Sequence, residues 1–355
     1  MNEKLTKIRI SIMIQQKVLI TGGTGAIGLQ LLKQMQAENR LDQISVLVRD
    51  SKTNRKKLKA FGNKLTVHFG DITNLDSVKK AVKGKDVVIH LAALIPTVED
   101  SNDALVTRVN VGGTENVVRA MESESPNAFL LFSSSVAIYG DRIKGPDIKV
   151  TDPPKGLEHD NYSKTKVDAE AIIMSSKLNW SIFRLSAIMG IGNHKVSGIM
   201  FDVPLETKME ISTVKDTANG FVCALDKQSV LNHQIFNLAG GKQCQLTYKE
   251  FLTKAFHSFG MGQPNFHEFA FAKQNFHCGY YQDSDILENL IHFRSDSVET
   301  YFKRFRASVP TVQRISTIPF AGVVKWYLQT LSAPLNAYKK RDQEKIKFFF
   351  GNIEA

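Results

Sequence analysis

The 355-residue chain is poor in cysteine, carries only two tryptophans and has no long apolar run. Cys223, Cys244 and Cys278 are widely spaced and form no metal-ligand pattern. They read as inert thiols and suit a reducing, cytoplasmic compartment. No stretch reaches the ~18 uninterrupted apolar residues of a membrane span. The start, Met1 to Ile14, mixes Lys4, Lys7 and Arg9 with isoleucines and lacks both an apolar h-region and a small-residue cleavage site, so it is not read as a secretory signal. Repeats and low-complexity segments are missing too. Acidic residues are the scarcer charge, 35 against 46 Lys and Arg, and the net charge of +11 suggests anionic partners. One basic run is Lys52, Arg55, Lys56, Lys57 and Lys59; the other is Lys339, Lys340, Arg341, Lys345 and Lys347. No nucleic-acid-binding motif accompanies either, and both read as solvated helix faces. Nucleic acid and membrane are thus not expected as partners.

What is present begins with Val18-Leu19-Ile20-Thr21-Gly22-Gly23-Thr24-Gly25-Ala26-Ile27-Gly28. An apolar run, a glycine turn and an apolar-periodic segment (Ile27, Leu31, Leu32, Met35) spell strand, turn and helix. Gly22, Gly25 and Gly28 leave backbone bare where a dinucleotide pyrophosphate must approach, and the helix N-terminus then offers its amides to the anion. Further strand signals lie at Ser45–Val48, Leu65–Phe69, Val87–Leu91, Phe129–Phe132, Ser181–Leu185 and Gln234–Leu238. Helical patterns alternate with them, so the fold class is α/β with a doubly wound parallel sheet. Residues 14–185 read as a dinucleotide-binding domain with a returning strand near 234–238. Residues 186–340 read as an interleaved, smaller and mostly helical substrate lobe, and 341–355 as a charged tail. Within the lobe, helix starts are expected at Thr247 with Glu250 and at Asp296 with Glu299, and Val324, Tyr327, Leu328 and Leu331 mark a third helix.

A second stretch, Asn161-Tyr162-Ser163-Lys164-Thr165-Lys166, places Tyr162 and Lys166 four apart on one helix face. A phenol with pKa near 10 is a poor base. A lysine ammonium within ~4–6 Å is expected to lower it by about 1–3 units, making Tyr162 a general acid/base for a carbonyl or alcohol. Upstream, Ser133-Ser134-Ser135 runs off a strand tip, where a hydroxyl can donate to a substrate oxygen. His90, on an apolar strand, reads as a packed core histidine.

These pieces together resemble the extended short-chain dehydrogenase/reductase family, also called the NAD-dependent epimerase/dehydratase family, over about Lys17 to Leu238. The resemblance rests on Thr21 to Gly28, Gly70-Asp71-Ile72, His90-Leu91-Ala92-Ala93, Asn110-Val111-Gly112-Gly113-Thr114, Ser133-Ser134-Ser135 and Tyr162-x3-Lys166. It also rests on Arg184 to Gly190 and Val214 to Ala218. It implies that Gly22, Thr24, Gly25, Ala26, Ile27 and Gly28 bind the cofactor, with Ser135 the catalytic hydroxyl and Ser134 the fallback. Tyr162 would be the acid/base, and Lys166 would lower its pKa and hydrogen-bond the nicotinamide ribose. Asp71 and Ile72 would flank the adenine, Ala92 and Ala93 would let the cofactor approach the fourth strand, and Asn110 would be structural or substrate-adjacent. A homodimer through sheet-flanking helices is implied as well.

Departures from the family pattern narrow the reading. Arg49 ends the second strand, with Asp50 next and Lys52 and Arg55 close by. An arginine there suits a 2′-phosphate, so NADP(H) is favoured over NAD(H), although Asp50 can still reach the ribose. Dehydrating relatives carry an acidic residue after the catalytic hydroxyl, where this chain has Val136 and Ala137, so dehydration is disfavoured. Leu185 replaces a common proline, and the short interval from Gly190 to Val214 lacks the arginine that often clamps a nucleotide diphosphate. The expected activity moves a hydride between nicotinamide C4 and a secondary alcohol or ketone. Two alternatives stay open: a nucleotide-sugar epimerase with permanently bound NAD, and a non-catalytic NADP-sensing protein on the same fold.

Overall fold

Seven apolar runs become seven parallel strands because each is buried on both faces or shields a neighbour that is. The computed structural model describes residues 16–95, 102–157, 160–192 and 197–352. The stretch Met1–Ile14, and the last three residues of the expected tail, lie outside the described residues. In chain order the elements of the first half are β1 (Val18–Thr21), α1 (Ala26–Ala37), β2 (Ile44–Val48), α2 (Lys52–Leu58), β3 (Thr66–Phe69), α3 (Leu75–Val82), β4 (Val87–His90), α4 (Asp103–Thr107), α5 (Gly113–Glu124), β5 (Phe129–Ser135), β6 (Asp147–Ile148), α6 (Asn161–Met174) and β7 (Asn179–Leu185). The second half adds β8 (Ala187–Met189), β9 (Lys208–Thr213), α7 (Val214–Ala224), α8 (Gln228–Leu231), β10 (Gln234–Leu238), β11 (Gln245–Thr247), α9 (Tyr248–Phe259), β12 (Tyr280–Tyr281), α10 (Ser284–Ile291), α11 (Val298–Ser308), α12 (Thr311–Thr317), α13 (Ala321–Thr330), α14 (Ala333–Lys340) and α15 (Gln343–Phe350).

The main sheet has the order β10-β7-β5-β4-β1-β2-β3 with every pairing parallel. Its two faces are sealed separately, as the period-2 alternation of a strand requires. Val18 and Ile20 point to a core built with Leu31, Leu32 and Met35 of α1, Phe221 of α7 and Leu287 of α10. Leu19, between them, points to the opposite core with Val78 of α3, Met121 of α5 and Ile173 of α6. Strand order reverses beside β1, so the turn after it opens at the switch point of the sheet, where such folds bind ligands.

The expected doubly wound sheet is thus observed, and a helical C-terminal region accompanies it. That region also holds a three-stranded sheet, β11-β9-β8, which the sequence reading did not anticipate. Two of its strands, β8 and β11, have only three residues each, too few to show an alternation. Thr247 and Glu250 form the expected capping box on α9. The second start shifts by one residue: Ser297 caps α11 with Thr300 as its reciprocal partner. Asp296 is drawn off instead by Arg304 (2.6 Å) and by the Thr213 hydroxyl (2.7 Å). Of the third helix's apolar set only Leu328 is buried, while Tyr327 and Leu331 are exposed. Within the stretch read as a charged tail, α15 buries Ile346 and Phe350.

Candidate active site

The turn after β1 is built for close approach. Gly22 sits at φ +72°, and a Cβ there would come within 2.8 Å of the Ala92 nitrogen; one on Gly28 would lie 2.6 Å from the Gly22 carbonyl oxygen. The Gly25 amide donates to Gly22 O (3.0 Å), closing the turn, and Gly25 then caps α1 with extended backbone and no side-chain bond. By contrast α2, α3 and α6 are capped by Ser51, Asn74 and Asp160. The first amides of α1 are therefore left to an anion, and no acidic side chain stands in its first turn. Gly25 and Ala26 are exposed there, Thr24 is half-buried, and Ile27 packs against the core. This cradle fits the dinucleotide that the glycine spacing predicts.

Beside it, at the end of β2, Arg49 and Asp50 are both exposed. Arg55 grips Asp50 through two bonds (2.6 and 2.8 Å), and this pairing holds the Asp50 carboxyl below the ordinary carboxylate range. Arg55 also stacks on Phe69, 4.2 Å from its ring centre, and Lys57 donates to Thr24 O of the glycine turn (3.0 Å). Asp71 accepts from the Thr73 amide and hydroxyl (2.8 Å each), which fixes the loop carrying Ile72. Ile72 lies against Gly113, where an added Cβ would meet it at 3.1 Å.

Ala92 and Ala93 leave β4 half-buried and next to Gly22. Two side chains hold them there. Thr21 Oγ1 accepts from the Ala92 amide (3.2 Å), and Asn110 brackets Leu94, accepting from its amide (2.8 Å) and donating to its carbonyl (3.0 Å). Asn110 Nδ2 also reaches Thr165 on α6 (3.1 Å), so it ties the cofactor loop to the helix bearing Tyr162. His90 lies beneath, Nδ1 to Thr21 Oγ1 (2.7 Å) and Nε2 to Thr114 Oγ1 (3.1 Å). Thr114 donates onward to Asn110 O (2.6 Å), which assigns the proton to Nε2 of a neutral ring. Burial, reinforced by the Lys166 charge, pushes this histidine down to about 3. It is a packed core residue, as read from the strand.

Ser135, Tyr162 and Lys166 converge from β5 and α6. Ser135 ends β5 and accepts from the Ala137 amide (3.2 Å), which turns the chain away and leaves its hydroxyl facing the Tyr162 phenol. Lys166 Nζ stands 5.9 Å from the Tyr162 ring centre and 4.8 Å from that of Phe132, and donates to Ser133 O (2.8 Å). Burial pushes Tyr162 up to about 12 despite the opposing bond from Ser135, with the Asp160 carboxylate adding to the rise. Burial likewise brings Lys166 down to about 8, partly offset by Glu170. The expected lowering of the phenol by lysine is not observed: burial dominates, and the one opposing influence is the Ser135 bond. Ser134 is not in this group: its hydroxyl donates to Glu170 inside the core.

The spacing of single motifs gave no hint of Glu170's partners. Arg184 of β7 clamps its carboxylate through Nε (3.1 Å) and Nη2 (2.8 Å) and continues to Tyr139 Oη (3.0 Å) and Val150 O (2.8 Å). Tyr139 donates to Asn237 (2.7 Å), and Asn237 to Asp283 (2.9 Å). The detectable signal was Glu170 standing four residues beyond Lys166 on one face, opposite an arginine in a buried strand.

A family model for the NAD dependent epimerase/dehydratase family matches residues 18–239, from β1 to the end of β10. The chain belongs to this family. Among its relatives, a 3 beta-hydroxysteroid dehydrogenase/Delta 5-->4-isomerase of Mycobacterium tuberculosis is 31% identical over 229 residues, 59% of this chain and 60% of that protein. A UDP-glucose 4-epimerase of Rickettsia massiliae is 34% identical over 133 residues, 36% of this chain and 38% of that one. The chain spans about half the length of the curated relatives it matches. The solved UDP-glucuronic acid 4-epimerase of Bacillus cereus, in complex with UDP-glucuronic acid and NAD, superposes with a TM-score of 0.67 at 17% identity, covering 82% of this chain and 98% of that one. That likeness is one of fold. The family, by its description, is one of NAD-dependent epimerases and dehydratases.

Proposed function

We propose that the protein is an NADP(H)-dependent oxidoreductase acting on a secondary alcohol or ketone, with Tyr162 handling the proton. The observation that carries this reading is the meeting of Ser135, Tyr162 and Lys166 at the carboxyl ends of the strands, next to a helix whose first turn is left open for phosphate. The nicotinamide supplies the hydride chemistry. Gly22, Thr24, Gly25, Ala26, Ile27 and Gly28 would hold the pyrophosphate, Asp71 and Ile72 the adenine, and Ala92 and Ala93 would leave room above β4. Lys166 would bond the nicotinamide ribose. A phenol held neutral by burial suits donation to a carbonyl oxygen as it gains charge, and the Ser135 hydroxyl is placed to bond the same oxygen. Asn110 is a positioning residue, since its bonds run to Leu94 and Thr165.

Arg49 and Lys57 support the phosphorylated cofactor, and Arg55 occupies Asp50, the carboxylate next to Arg49 that could take the ribose hydroxyls. Elimination finds no carboxylate after Ser135, as Val136 and Ala137 are apolar and buried. The test measures binding of NADPH and NADH and turnover against a panel of ketones. Tyr162→Phe should keep NADPH binding and lose turnover by about 10²–10⁴-fold. Arg49→Ala with Arg55→Ala should abolish the preference for NADPH. Equal binding of both cofactors by the parent protein would overturn the NADP(H) assignment, and NAD⁺ retained through purification would point to the epimerase reading instead.

A further inference from the structure

The α12–α13 segment is unusual for a surface. Val312, Ile315, Ile318, Phe320, Val323 and Trp326 are all exposed, Val312 at 80% and Trp326 at 67%. On each helix the apolar pair is three residues apart, Val312 with Ile315 and Val323 with Trp326, so each pair shares a face. The reverse side of α13 is committed to the lobe's core through Leu328, Val324 and Ala321. The outward apolar face is therefore additional to what folding needs. Single exposed apolar side chains are ordinary, but a contiguous run marks an interaction surface.

Charge identifies the partner. Between Glu299 and Asp342 the chain has no acidic residue and eight lysines and arginines, of which Arg304 is paired with Asp296. Lys303, Arg306, Lys339 and Lys340 are exposed on the flanking helices α11 and α14. Apolar and aromatic side chains on one side with cations at the flanks is the composition of a segment that lies in the plane of a bilayer interface. We infer that the α12–α13 face is a peripheral docking surface for an anionic lipid bilayer. A nucleic acid offers no apolar surface for Val312, Ile315 and Val323 to bury. Two copies meeting through this face would set Lys303 and Arg306 against the same cations of the other copy. A lipid surface satisfies both features at once, since acyl chains take the apolar residues and headgroups take the cations. No spanning helix is required, and among the described residues none is long and apolar enough to be one. The basic run at Lys339 and Lys340, read from sequence as a solvated face, thereby acquires a partner.

The tryptophans make the test direct. Trp180 is buried and Trp326 exposed, so a change in emission on docking reports Trp326. The full-length protein is mixed with phosphatidylcholine vesicles with and without half phosphatidylglycerol. It should sediment with the anionic vesicles, shift its tryptophan emission to the blue and release at high salt. The double substitution Ile315→Glu and Trp326→Glu should abolish sedimentation while NADPH binding and the circular dichroism spectrum are unchanged. Failure to sediment with anionic vesicles overturns the inference. So does lipid-free Trp326 shielded from acrylamide: at every protein concentration this means cover by the chain itself, and only at high concentration cover by a second copy.

Discussion

Burial drives Tyr162 and His90 in opposite directions, and both shifts keep a neutral group neutral. Tyr162 is pushed up to about 12 and stays a phenol, while His90 is pushed down to about 3 and stays an imidazole. For His90 this is a stability statement. The unfolded ring binds its proton near pH 6.5, whereas the folded one resists until about pH 3. Between those values the unfolded state holds more protons, so stability is full above about pH 6.5 and falls as pH drops towards 3, by up to about 1.4 kcal/mol per pH unit. His90→Gln removes that slope. Urea unfolding at pH 7 and pH 4.5 should show the parent losing about 2–3 kcal/mol more than the variant across the interval; equal losses would mean His90 is solvated. The core role of His90 was legible from its apolar neighbours. The competition at Tyr162 was not, because spacing shows that a lysine is near and says nothing of how much water both lose.

Helix α6 carries Tyr162, Lys166 and Glu170 at successive four-residue steps, and Glu170 anchors it to β7. The Glu170–Arg184 pair is almost wholly buried, side chains 2% and 4% exposed. Glu170→Gln keeps the shape but leaves Arg184 charged and uncompensated, an expected loss of about 3–5 kcal/mol in chemical denaturation. It also removes the carboxylate that supports the Lys166 charge. The alkaline limb of the pH–rate profile should then move below its parental position near pH 8, a shift that simple loosening would not produce. Elements themselves were largely legible. The strands of the main sheet fall within a few residues of their apolar runs, since burial on both faces leaves a continuous apolar stretch in the sequence. Caps were less so: Asp296 has a capping side chain, but Thr213, remote in sequence, and Arg304, two turns along α11, take it from the local amide.

At the scale of the molecule, Asp216 of α7 ties that helix to the segment entering α11, accepting from the Ser295 amide and hydroxyl and the Asp296 amide (2.9, 2.6 and 2.9 Å). The chain's end closes the smaller lobe. Phe350 meets Phe269 edge-on at 5.6 Å, and Gln274 and Asn275 donate to the carbonyls of Lys347 and Phe348. Truncation after Arg341 would uncover the surface that Ile346 and Phe350 bury, about 1.5–3 kcal/mol for each side chain. Its expected result is a lower melting temperature and faster proteolysis of the lobe; an unchanged melt would show that α15 is dispensable.

By itself the sequence determined the parallel sheet, the glycine cradle and the tyrosine–lysine helix, because each depends on residues near one another in the chain. Only the tertiary structure decided that the Ser134 hydroxyl is bonded to Glu170, that Asp50 is occupied by Arg55, and that Trp326 and Tyr327 face outward. Those outcomes depend on which distant groups reach a side chain first and on which helix face the core has room for, and neither is recorded in local spacing.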